Sequence, residues 1–543
     1  LILVSQNAFA AWGAKYDLDA LPLVPAGFKV QFFAKEPDLL HAVCLAFDAK
    51  GRLFVGGGPQ FRWPKPDTPK DNIKICIDKN GDGVADEFKI FAEGFNCIQA
   101  LAWKGKDLWV CHAPSVTIAR DLDGDDVADE FVDVFTDLGP LRHGLHGFNW
   151  APDGKLYMSQ GNNTCTKDAP KVWRDLMHVQ SDAPAEQPLR KFTRAEWKVK
   201  YLEPYNTETE GGILRCDPEG KNAEIWARGL RNPWDIAFDD QFNWTGGDND
   251  DGPESDRLFA PFHGAHYGKR HAWSYSWTGE NNPCTVPMTG LFPTANGSAV
   301  GVIYYTSEQF PPEWRNGFFM GDSDGERVYF YKQEWDGARA KATLKEFAWT
   351  KEIGKGALFM PTDVEAGPDG SLYVVGWGST YGSKWAPYHK GRDENAKLNE
   401  GRIFRMWYDK APLIAKETWF PAKRTKNYDA WTFEELMEDM GHQIPVWRVN
   451  AQDEMVRRGA EKMQAAVVKE VNSGKLSTAQ ETWAVWALGR MSPNDKGVES
   501  DIAALLNSKN MNLRIQAIRI LSFRKASASG SAIAALLTDK EPR

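Results

Sequence analysis

A short pattern of apolar and polar positions recurs along the first 400 residues of the chain. An apolar segment leads into a turn rich in Gly and Asp, and a second apolar segment follows and ends in small residues. Alternating apolar positions on both sides of such a turn predict a β-hairpin. The copies lie at 45–55, 101–110, 148–158, 236–245, 314–320 and 364–374, of which the fifth is the weakest and the sixth the clearest.

Six hairpins within about 360 residues, with further short strands between them, predict four-stranded blades arranged radially. The expected fold is therefore mainly β, a six-bladed β-propeller over about residues 20–408. Because such a ring closes on itself, we expect the propeller to depend little on the rest of the chain. The longer gaps at 160–210 and 250–300 are predicted to be loops on one face, where such folds build their sites.

The composition and the periodicity of apolar positions change after about residue 408. Residues 429–543 are rich in Ala, Leu, Met and Arg with helical periodicity, and Ile502–Leu506 recurs as Ile533–Leu537. An amphipathic segment, Leu513–Leu521, lies between the two copies. This spacing predicts an α-helical, HEAT-like repeat domain over 409–543. The last repeat stops before its second helix, so we expect the repeats to be truncated and the natural chain to continue.

Charge and composition narrow the function classes. Lys and Arg number 65 against 74 Asp and Glu, a formal net charge of −9. A wide basic surface for nucleic acid is therefore not expected. No apolar run of about 18 residues occurs in the chain, so no transmembrane span is predicted. The count of 23 Trp indicates either aromatic packing between sheets or a carbohydrate-facing surface, and composition does not choose between them.

The first residues of the chain predict where in the cell the protein resides, and the cysteine spacing excludes two kinds of site. The apolar start and the small-x-small pattern Ala8-Phe9-Ala10 predict that residues 1–10 are the remnant of a signal peptide. The protein is then exported to the periplasm, the cell surface or the medium; the alternative is a chain cut that begins with apolar residues by chance. The seven cysteines form no C-x-x-C pair, so the chain encodes neither a zinc ribbon nor a covalent haem site.

Two acidic loops, Asp78–Phe88 and Asp121–Phe131, carry oxygen side chains at positions 1, 3, 5 and 9. This spacing suits Ca²⁺, which takes 6–8 oxygen ligands. Lys89 and Val132 stand where an EF-hand has its Glu, so an EF-hand is excluded. We expect a structural calcium ion that ties the outer edges of two adjacent blades; the alternative is a pair of metal-free turns. The predicted ligands are Asp78, Asn80, Asp82 and Asp86 in the first loop, and Asp121, Asp123, Asp125 and Asp129 in the second.

Cationic and imidazole groups precede two of the hairpins. Arg142–Gly147 leads into the third hairpin and Arg228–Asp235 into the fourth, while an acidic cluster, Gly247–Asp256, follows the fourth. The two leading segments are predicted to lie at the strand-entry end of the central channel. A His there could act as a general base, although a single His is more often structural.

These same segments resemble a known family. "ARGLRNPWDIAFD" at 227–239, "DGPESD" at 251–256, "GAHYG" at 264–268 and the "PDGKLY" and "PDGSLY" hairpins are similar to the glucose/sorbosone dehydrogenase propellers. The closest resemblance is to the planctomycete-type, membrane-bound dehydrogenase-like family. That family joins the propeller to HEAT-like helices and often to a haem-binding C-x-x-C-H module, which is not present in this sequence. The resemblance covers about residues 20–540.

The resemblance implies a cofactor site in the PQQ-dependent members of the family. It implies that His143 is catalytic, that Arg231 and Asn232 contact the quinone, and that backbone carbonyls of Gly252 and Pro253 bind a catalytic Ca²⁺. The implied activity is that of an exported, calcium-binding, sugar dehydrogenase-like oxidoreductase acting on a carbohydrate or polyol. In that reaction His143 takes the hydroxyl proton and Arg231 polarises the acceptor. A cytochrome is the candidate electron acceptor.

Three positions depart from the family pattern. Asp324, Met360 and Thr362 stand where the sugar dehydrogenases have a Lys and two Arg that grip the carboxylates of PQQ. An acid and two neutral groups remove most of those charge-assisted contacts. This departure argues against PQQ binding. It supports an alternative function, a non-catalytic carbohydrate- or protein-binding propeller scaffold that has lost its cofactor.

Overall fold

The computed structural model describes residues 15–59, 71–113, 115–135, 143–161, 211–249, 255–267, 289–295, 297–378, 400–491 and 495–543. Its strands in the first half are β1 (Lys15–Asp17), β2 (Phe28–Lys35), β3 (Ala42–Phe47), β4 (Leu53–Gly57), β5 (Asp71–Ile77), β6 (Glu87–Phe95), β7 (Ile98–Lys104), β8 (Asp107–His112), β9 (Ser115–Arg120), β10 (Glu130–Phe135), β11 (Leu145–Trp150), β12 (Leu156–Gln160), β13 (Gly211–Cys216), β14 (Glu224–Leu230), β15 (Pro233–Phe238) and β16 (Trp244–Asp248). The later strands are β17 (Ser255–Phe259), β18 (Ala265–His266), β19 (Gly290–Ala295), β20 (Ala299–Tyr305), β21 (Gly317–Asp322), β22 (Arg327–Tyr331), β23 (Glu334–Asp336), β24 (Arg339–Lys341), β25 (Lys345–Trp349), β26 (Lys355–Ala357), β27 (Pro361–Ala366), β28 (Leu372–Gly376) and β29 (Arg402–Tyr408).

Helices follow the last strand. They are α1 (Lys416–Trp419), α2 (Phe433–Met440), α3 (Pro445–Arg458), α4 (Ala460–Val471), α5 (Thr478–Met491), α6 (Lys496–Ala504), α7 (Met511–Phe523) and α8 (Gly530–Ala535). Within the part of the chain described, no helix combines the length and apolar character needed to cross a membrane.

Six antiparallel sheets, here called blades 1 to 6, make up the β part. In order along the chain they contain β3–β6, β7–β10, β11–β14, β15–β17 with β19, β20–β22 with β25, and β27–β29 with β2. The first strand of each blade lies innermost, and β3, β7, β11, β15, β20 and β27 pack side by side in a closed ring. The predicted six-bladed β-propeller is therefore confirmed.

Blade 6 closes the ring with strands from both ends of the propeller. Its outermost strand, β2, pairs antiparallel with β29, in a register that runs from Phe28 opposite Tyr408 to Lys35 opposite Arg402. Because β2 continues along the chain into β3 of blade 1, the hydrogen bonds between β2 and β29 hold the two ends of the propeller together. Closure of this kind leaves only short strand edges open to solvent.

The turn between the first and second strands of a blade explains why Asp and Gly recur in the sequence pattern. The carboxylate of Asp48 accepts the N–H groups of Lys50 and Arg52, which folds the chain back onto β4. In the third and sixth hairpins, Gly154 and Gly370 have φ of 80° and 87°, a left-handed conformation that favours glycine. The predicted hairpins of blades 1, 2, 3, 4 and 6 are present in the structure.

The fifth hairpin and one predicted loop differ from expectation. The first strand of blade 5 is β20, upstream of the predicted 314–320, and a long connection with a 3₁₀ turn at Pro312–Trp314 leads to β21. Trp314 is buried in that turn. In the sequence, a buried apolar residue of a turn looks the same as an apolar residue of a strand, and the hairpin was therefore predicted at the wrong place. The gap at 250–300 contains β17 and β19, the outer half of blade 4, rather than only a loop. Most of the gap at 160–210 lies outside the described residues.

The helices cover one face of the propeller, here called the lower face, where the turns between first and second strands lie. Their side chains bond directly to these turns in blades 1, 2, 3, 4 and 6. The bonds are Trp447 Nε1–H to Ala49 O, Gly105 N–H to Asn450 Oδ1, Gln452 Nε2–H to Pro152 O, Thr482 Oγ1–H to Asp240 O and Gln443 Nε2–H to Gly367 O.

Propeller and helices also share one hydrophobic core. A single cluster of buried side chains contains Trp150 and Tyr157 of blade 3 together with Trp483 and Leu488 of α5. The expectation that the propeller depends little on the helices stays a prediction, and the shared cluster argues against it because it places apolar side chains of the lower face against α5. A 3₁₀ turn follows α6 at Leu505–Asn507 and α8 at Leu536–Thr538, in step with the sequence repeat. A HEAT-like solenoid and a domain boundary at 409 remain predictions.

Candidate functional site

The upper face, opposite the helices, is where the innermost strands begin, and each of these strands is irregular there. Register shifts interrupt the pairing near the start of β3, β7, β11, β15, β20 and β27. Such bulges redirect side chains away from the regular alternation of a strand. In blades 2, 3 and 4 the residues inside the shifts include Gln99, His146 and Trp234.

His146 lies at the centre of this region. Its ring is 1% exposed and stacks on Trp234, with ring centroids 4.3 Å apart and planes 17° from parallel. Nδ1 lies 3.2 Å from Gln99 Oε1, and Nε2 lies 3.0 Å from Asn232 Oδ1. Burial lowers the pKa of His146 to about 4, so the imidazole is neutral at pH 7. His146 thus connects blades 2 and 3 to the segment that carries Asn232.

His143 precedes β11 and adopts a left-handed backbone with φ of 50°. Its main chain and the Asn232 side chain both pack against Gly161. A Cβ at position 161 would lie 2.5 Å from His143 O and 2.6 Å from Asn232 Oδ1. Only glycine permits this approach, which brings the predicted catalytic and quinone-contacting segments together.

A buried carboxylate holds Arg231 and Asn232 in place. Asp248 Oδ1 accepts the main-chain N–H of Arg231 at 3.0 Å and of Asn232 at 2.8 Å. The same carboxylate forms an ion pair with Arg257 at 2.8 Å, and both side chains are fully buried. The Arg231 guanidinium donates to the side-chain and main-chain oxygens of Asn249. Sequence analysis missed Arg257, which lies in β17 directly opposite Asp248 of β16.

The positions that depart from the sugar dehydrogenase pattern lie near the upper ends of blades 5 and 6. Thr362 is buried and its hydroxyl donates to Val43 O at 2.9 Å. Met360 is buried before β27, and Asp324 is half-buried in the turn after β21. None of these three side chains carries a positive charge, so these positions do not fit the tricarboxylate PQQ. Gly252 and Pro253 lie outside the described residues.

Further down the channel, three carboxylates border a cavity of about 90 Å³. The cavity also contacts Gln443, in the connection between α2 and α3, and Arg448 of α3. Asp235 accepts the N–H of Val302 in blade 5, and Asp363 accepts the N–H of Leu45 in blade 1, so both connect neighbouring innermost strands. The third is Glu365. Burial raises the pKa of Asp363 to about 7. Burial, and repulsion from nearby carboxylates, also raise the pKa of Asp235 and of Glu365.

The two acidic loops lie on the outer edges of blades 1 and 2. In the second loop, ligand oxygens of Asp121, Asp123 and Asp129 lie within 4.8 Å of one another, close enough to hold one cation. Asp125 instead accepts the N–H of Val127, and in the first loop the amide of Asn80 donates to Asp82 and Asp86. The structure thus groups part of the second predicted ligand set, while the first set is linked by its own hydrogen bonds.

Each acidic loop also bonds to the blade before it. Ala85 N–H donates to Phe33 O of blade 6, and Ala128 N–H donates to Phe91 O of blade 1, both at 2.8 Å. The two loops therefore occupy equivalent positions and link three consecutive blades.

The cysteines of the described part are buried thiols without disulfides. They are Cys44, Cys76, Cys97, Cys111 and Cys216. Cys165 and Cys284 lie outside the described residues.

Parts of the chain are similar to proteins described as sugar dehydrogenases or as carbohydrate-active enzymes, and the chain spans about three fifths of the curated relative it matches. The chain is 28% identical over 265 residues to the aldose sugar dehydrogenase YliI of Escherichia coli K12, a match that covers 45% of this chain and 61% of that protein. The PQQ-bound aldose sugar dehydrogenase of Streptomyces coelicolor is 18% identical, with a TM-score of 0.46 over 71% of this chain and 99% of that one. The calcium structure of a Trichoderma reesei family AA12 enzyme is 11% identical, with a TM-score of 0.47 over 73% and 98%.

A family profile matches most of the propeller. The family described as "Domain of unknown function (DUF7133)" matches residues 18–192 and 191–410. These two matches together span well over half of the chain and include the segments around His143, Arg231 and Asp248. The chain therefore belongs to the DUF7133 family.

Proposed function

We propose that this protein is an exported, sugar dehydrogenase-like oxidoreductase that acts on a carbohydrate or polyol at the upper end of the propeller channel. The observation that carries the proposal is the approach of His143 and Asn232 around Gly161. The similarity to an aldose sugar dehydrogenase supports the same substrate class.

Each residue of this region has a role in the proposed reaction. His143 takes the proton of the sugar hydroxyl as a general base. Arg231 and Asn232 polarise the acceptor, and Asp248 fixes both through their main-chain N–H groups. His146 acts as a positioning residue, because its ring bonds to the side chain of Asn232.

Oxidation of a hydroxyl to a carbonyl removes the hydroxyl proton and a hydride equivalent from the carbon. The reaction therefore needs a two-electron acceptor beside Arg231 and Asn232, from which the electrons pass singly to a carrier such as a cytochrome. The Streptomyces relative is described as PQQ-bound. Asp324, Met360 and Thr362 do not supply the cations that PQQ would need, so we assign no step to PQQ in this protein. We retain a cytochrome as the candidate acceptor, calcium as a structural ion at the acidic loops, and Gly252 and Pro253 as a second calcium site.

A second candidate function is favoured by the lack of positive charge at Asp324, Met360 and Thr362. A propeller without cations for the cofactor's carboxylates can persist as a carbohydrate- or protein-binding scaffold. In that case the buried contacts of His146 and Asp248 stabilise the upper face and have no part in turnover.

Reconstitution separates the two functions. The purified chain is incubated with Ca²⁺, with and without PQQ, and dye reduction is followed with a panel of monosaccharides and polyols. An oxidoreductase reduces the dye, and His143→Ala lowers kcat by about 10²–10⁴-fold with an unchanged midpoint of unfolding. Lys29→Ala, at an exposed residue of β2 that is remote from both the site and the helices, is the control. Absence of dye reduction with every sugar and acceptor supports the scaffold.

A further inference from the structure

The face opposite the candidate site contains a large groove between the propeller and the helices. Its volume is about 1220 Å³. The walls are the segment 260–263 after β17, the hairpin β23–β24 of blade 5, and α7 with the residues that follow it. None of the residues assigned to the oxidoreductase site lines this groove.

Aromatic rings form both the base and the walls of the groove. Trp226 and Trp244 are buried in its base, with ring centroids 5.9 Å apart and a T-shaped arrangement. Phe262 and Phe523, on opposite walls, are 53% and 46% exposed. Large apolar rings are costly to leave in water, and their concentration in one concave surface indicates a binding site.

Two further features of the groove point to a ligand: a cation–π contact of Trp335 and a buried N–H group of Trp244. Trp335, in the hairpin wall, is held by the Arg543 guanidinium, which lies 4.9 Å from its ring centroid. The ring is therefore fixed in place before any ligand binds, which lowers the entropy lost on binding. The Nε1–H of Trp244, which is 3% exposed, has no hydrogen-bond partner within the described structure.

Several charged side chains of the groove already have polar partners within the protein. Arg215 pairs with Glu224, and Asp336 pairs with Lys341. Arg519 donates to the main-chain oxygens of Gln241 and Phe242 and to Asn243 Oδ1. An anion or a cation would have to break these contacts, so the groove suits an uncharged ligand that accepts and donates hydrogen bonds.

We propose that this groove binds a neutral carbohydrate chain. Sugar rings present C–H faces that pack on aromatic rings, and hydroxyl groups that bond to the edges of the arginine and carboxylate pairs. Composition left two roles open for the many tryptophans, packing between sheets and a carbohydrate-facing surface. Under this proposal both occur, because Trp150 packs between sheets and Trp335 lies in the carbohydrate groove. This proposal goes beyond the proposed oxidoreductase function and does not depend on it.

The test is titration calorimetry of the full chain with uncharged hexasaccharides: cellohexaose, xylohexaose, mannohexaose and maltohexaose. We expect saturable binding of at least one of them. Phe523→Ala and Trp335→Ala should each weaken it about tenfold, because each removes one aromatic platform. Phe131→Ala removes a ring that is 49% exposed on the outer strand of blade 2, and it should bind like the wild type.

Several outcomes would overturn the proposal. They are no saturable binding of any hexasaccharide, unchanged binding by both groove variants, or binding only of heparin or of a peptide. If Trp335→Ala lowers the midpoint of unfolding, Phe262→Ala, at the most exposed ring, replaces it. Binding is measured without any electron acceptor and with His143→Ala as well as wild type, so its failure is distinguishable from failure of sugar oxidation.

Discussion

Asp248 illustrates how one side chain organises the candidate site. Its carboxylate is fully buried, pairs with Arg257, and accepts the N–H groups of Arg231 and Asn232. Asp248→Asn removes the carboxylate charge that pairs with the buried guanidinium of Arg257. We expect a loss of about 3–5 kcal/mol in the free energy of unfolding, measured by urea denaturation.

Asp336→Asn is the matched control for that variant. Asp336 also pairs with a cation, Lys341, but the pair is exposed. Solvent screens such a pair, so the free energy of unfolding should stay close to that of the wild type. Equal effects of the two substitutions would contradict the role given to Asp248.

Asp363 should make stability depend on pH. Burial raises its pKa from the ordinary 3.8 to about 7, so the native state binds its proton more tightly than the unfolded chain does. The stability it contributes is complete below pH ~4 and is lost as pH rises to about 7, by up to roughly 1.4 kcal/mol per pH unit. Asp363→Asn removes this pH-dependent contribution to the free energy of unfolding. Denaturation curves between pH 4 and 8 measure it, and parallel pH profiles for the two proteins would refute it.

The structure brings together the segments that the sequence singled out, but the sequence did not predict the side-chain contacts between them. The family resemblance assigns the catalytic role to His143, whereas it is the ring of His146 that bonds to Asn232. The register shift in β11 redirects His146, and a shift of one or two residues cannot be read from an alternating pattern. Arg257 was missed for a different reason: its partner Asp248 lies directly opposite it on the neighbouring strand β16, and this pairing was not predicted because β17 was expected to be a loop.

Among the elements, hairpins with a short Asp–Gly turn were predictable because the turn itself requires those residues. The carboxylate of Asp239 accepts the N–H groups of Gln241 and Asn243, which repeats the bonding of Asp48. The outer strands β17 and β19 have no such marker between them, so the sequence indicated a loop. Blade 5 shows the same limit, since its first turn is long and contains a buried Trp314.

The second acidic loop carries a prediction for calcium. Ca²⁺ should raise the midpoint of thermal unfolding, because a ligand that binds only the native state stabilises it by mass action. Asp123→Asn retains an acceptor for the N–H of Asp125 but removes one charge from the group with Asp121 and Asp129. The variant should lose most of the rise measured by scanning calorimetry with Ca²⁺ against EDTA.

Glu130→Gln is the control for the calcium experiment. It removes the same charge just outside the group, where Glu130 pairs with Arg120. This variant should keep the response to Ca²⁺. A midpoint of the wild type that is indifferent to both Ca²⁺ and EDTA would favour metal-free turns.

At the scale of the whole molecule, the helices act as part of the propeller's core. Truncation after Tyr408 would expose the lower face, including Trp150 and Tyr157, which share a buried cluster with α5. Burial of apolar surface contributes about 25 cal/mol per Å², so the truncated propeller should unfold at a lower temperature than the full chain. It should also bind the dye ANS. A truncated propeller with the same midpoint and no dye binding would restore the idea that radial closure is sufficient.

The pairing of β2 with β29 has a consequence for biosynthesis. The two strands form neighbouring hydrogen bonds, yet β2 leaves the ribosome long before β29 does. At about 5–20 residues per second, synthesis of the roughly 370 residues between them takes on the order of tens of seconds. Throughout that interval β2 lacks its partner and the ring stands open. The nascent chain therefore presents an unsatisfied strand edge, which a chaperone must shield or a second nascent chain will capture.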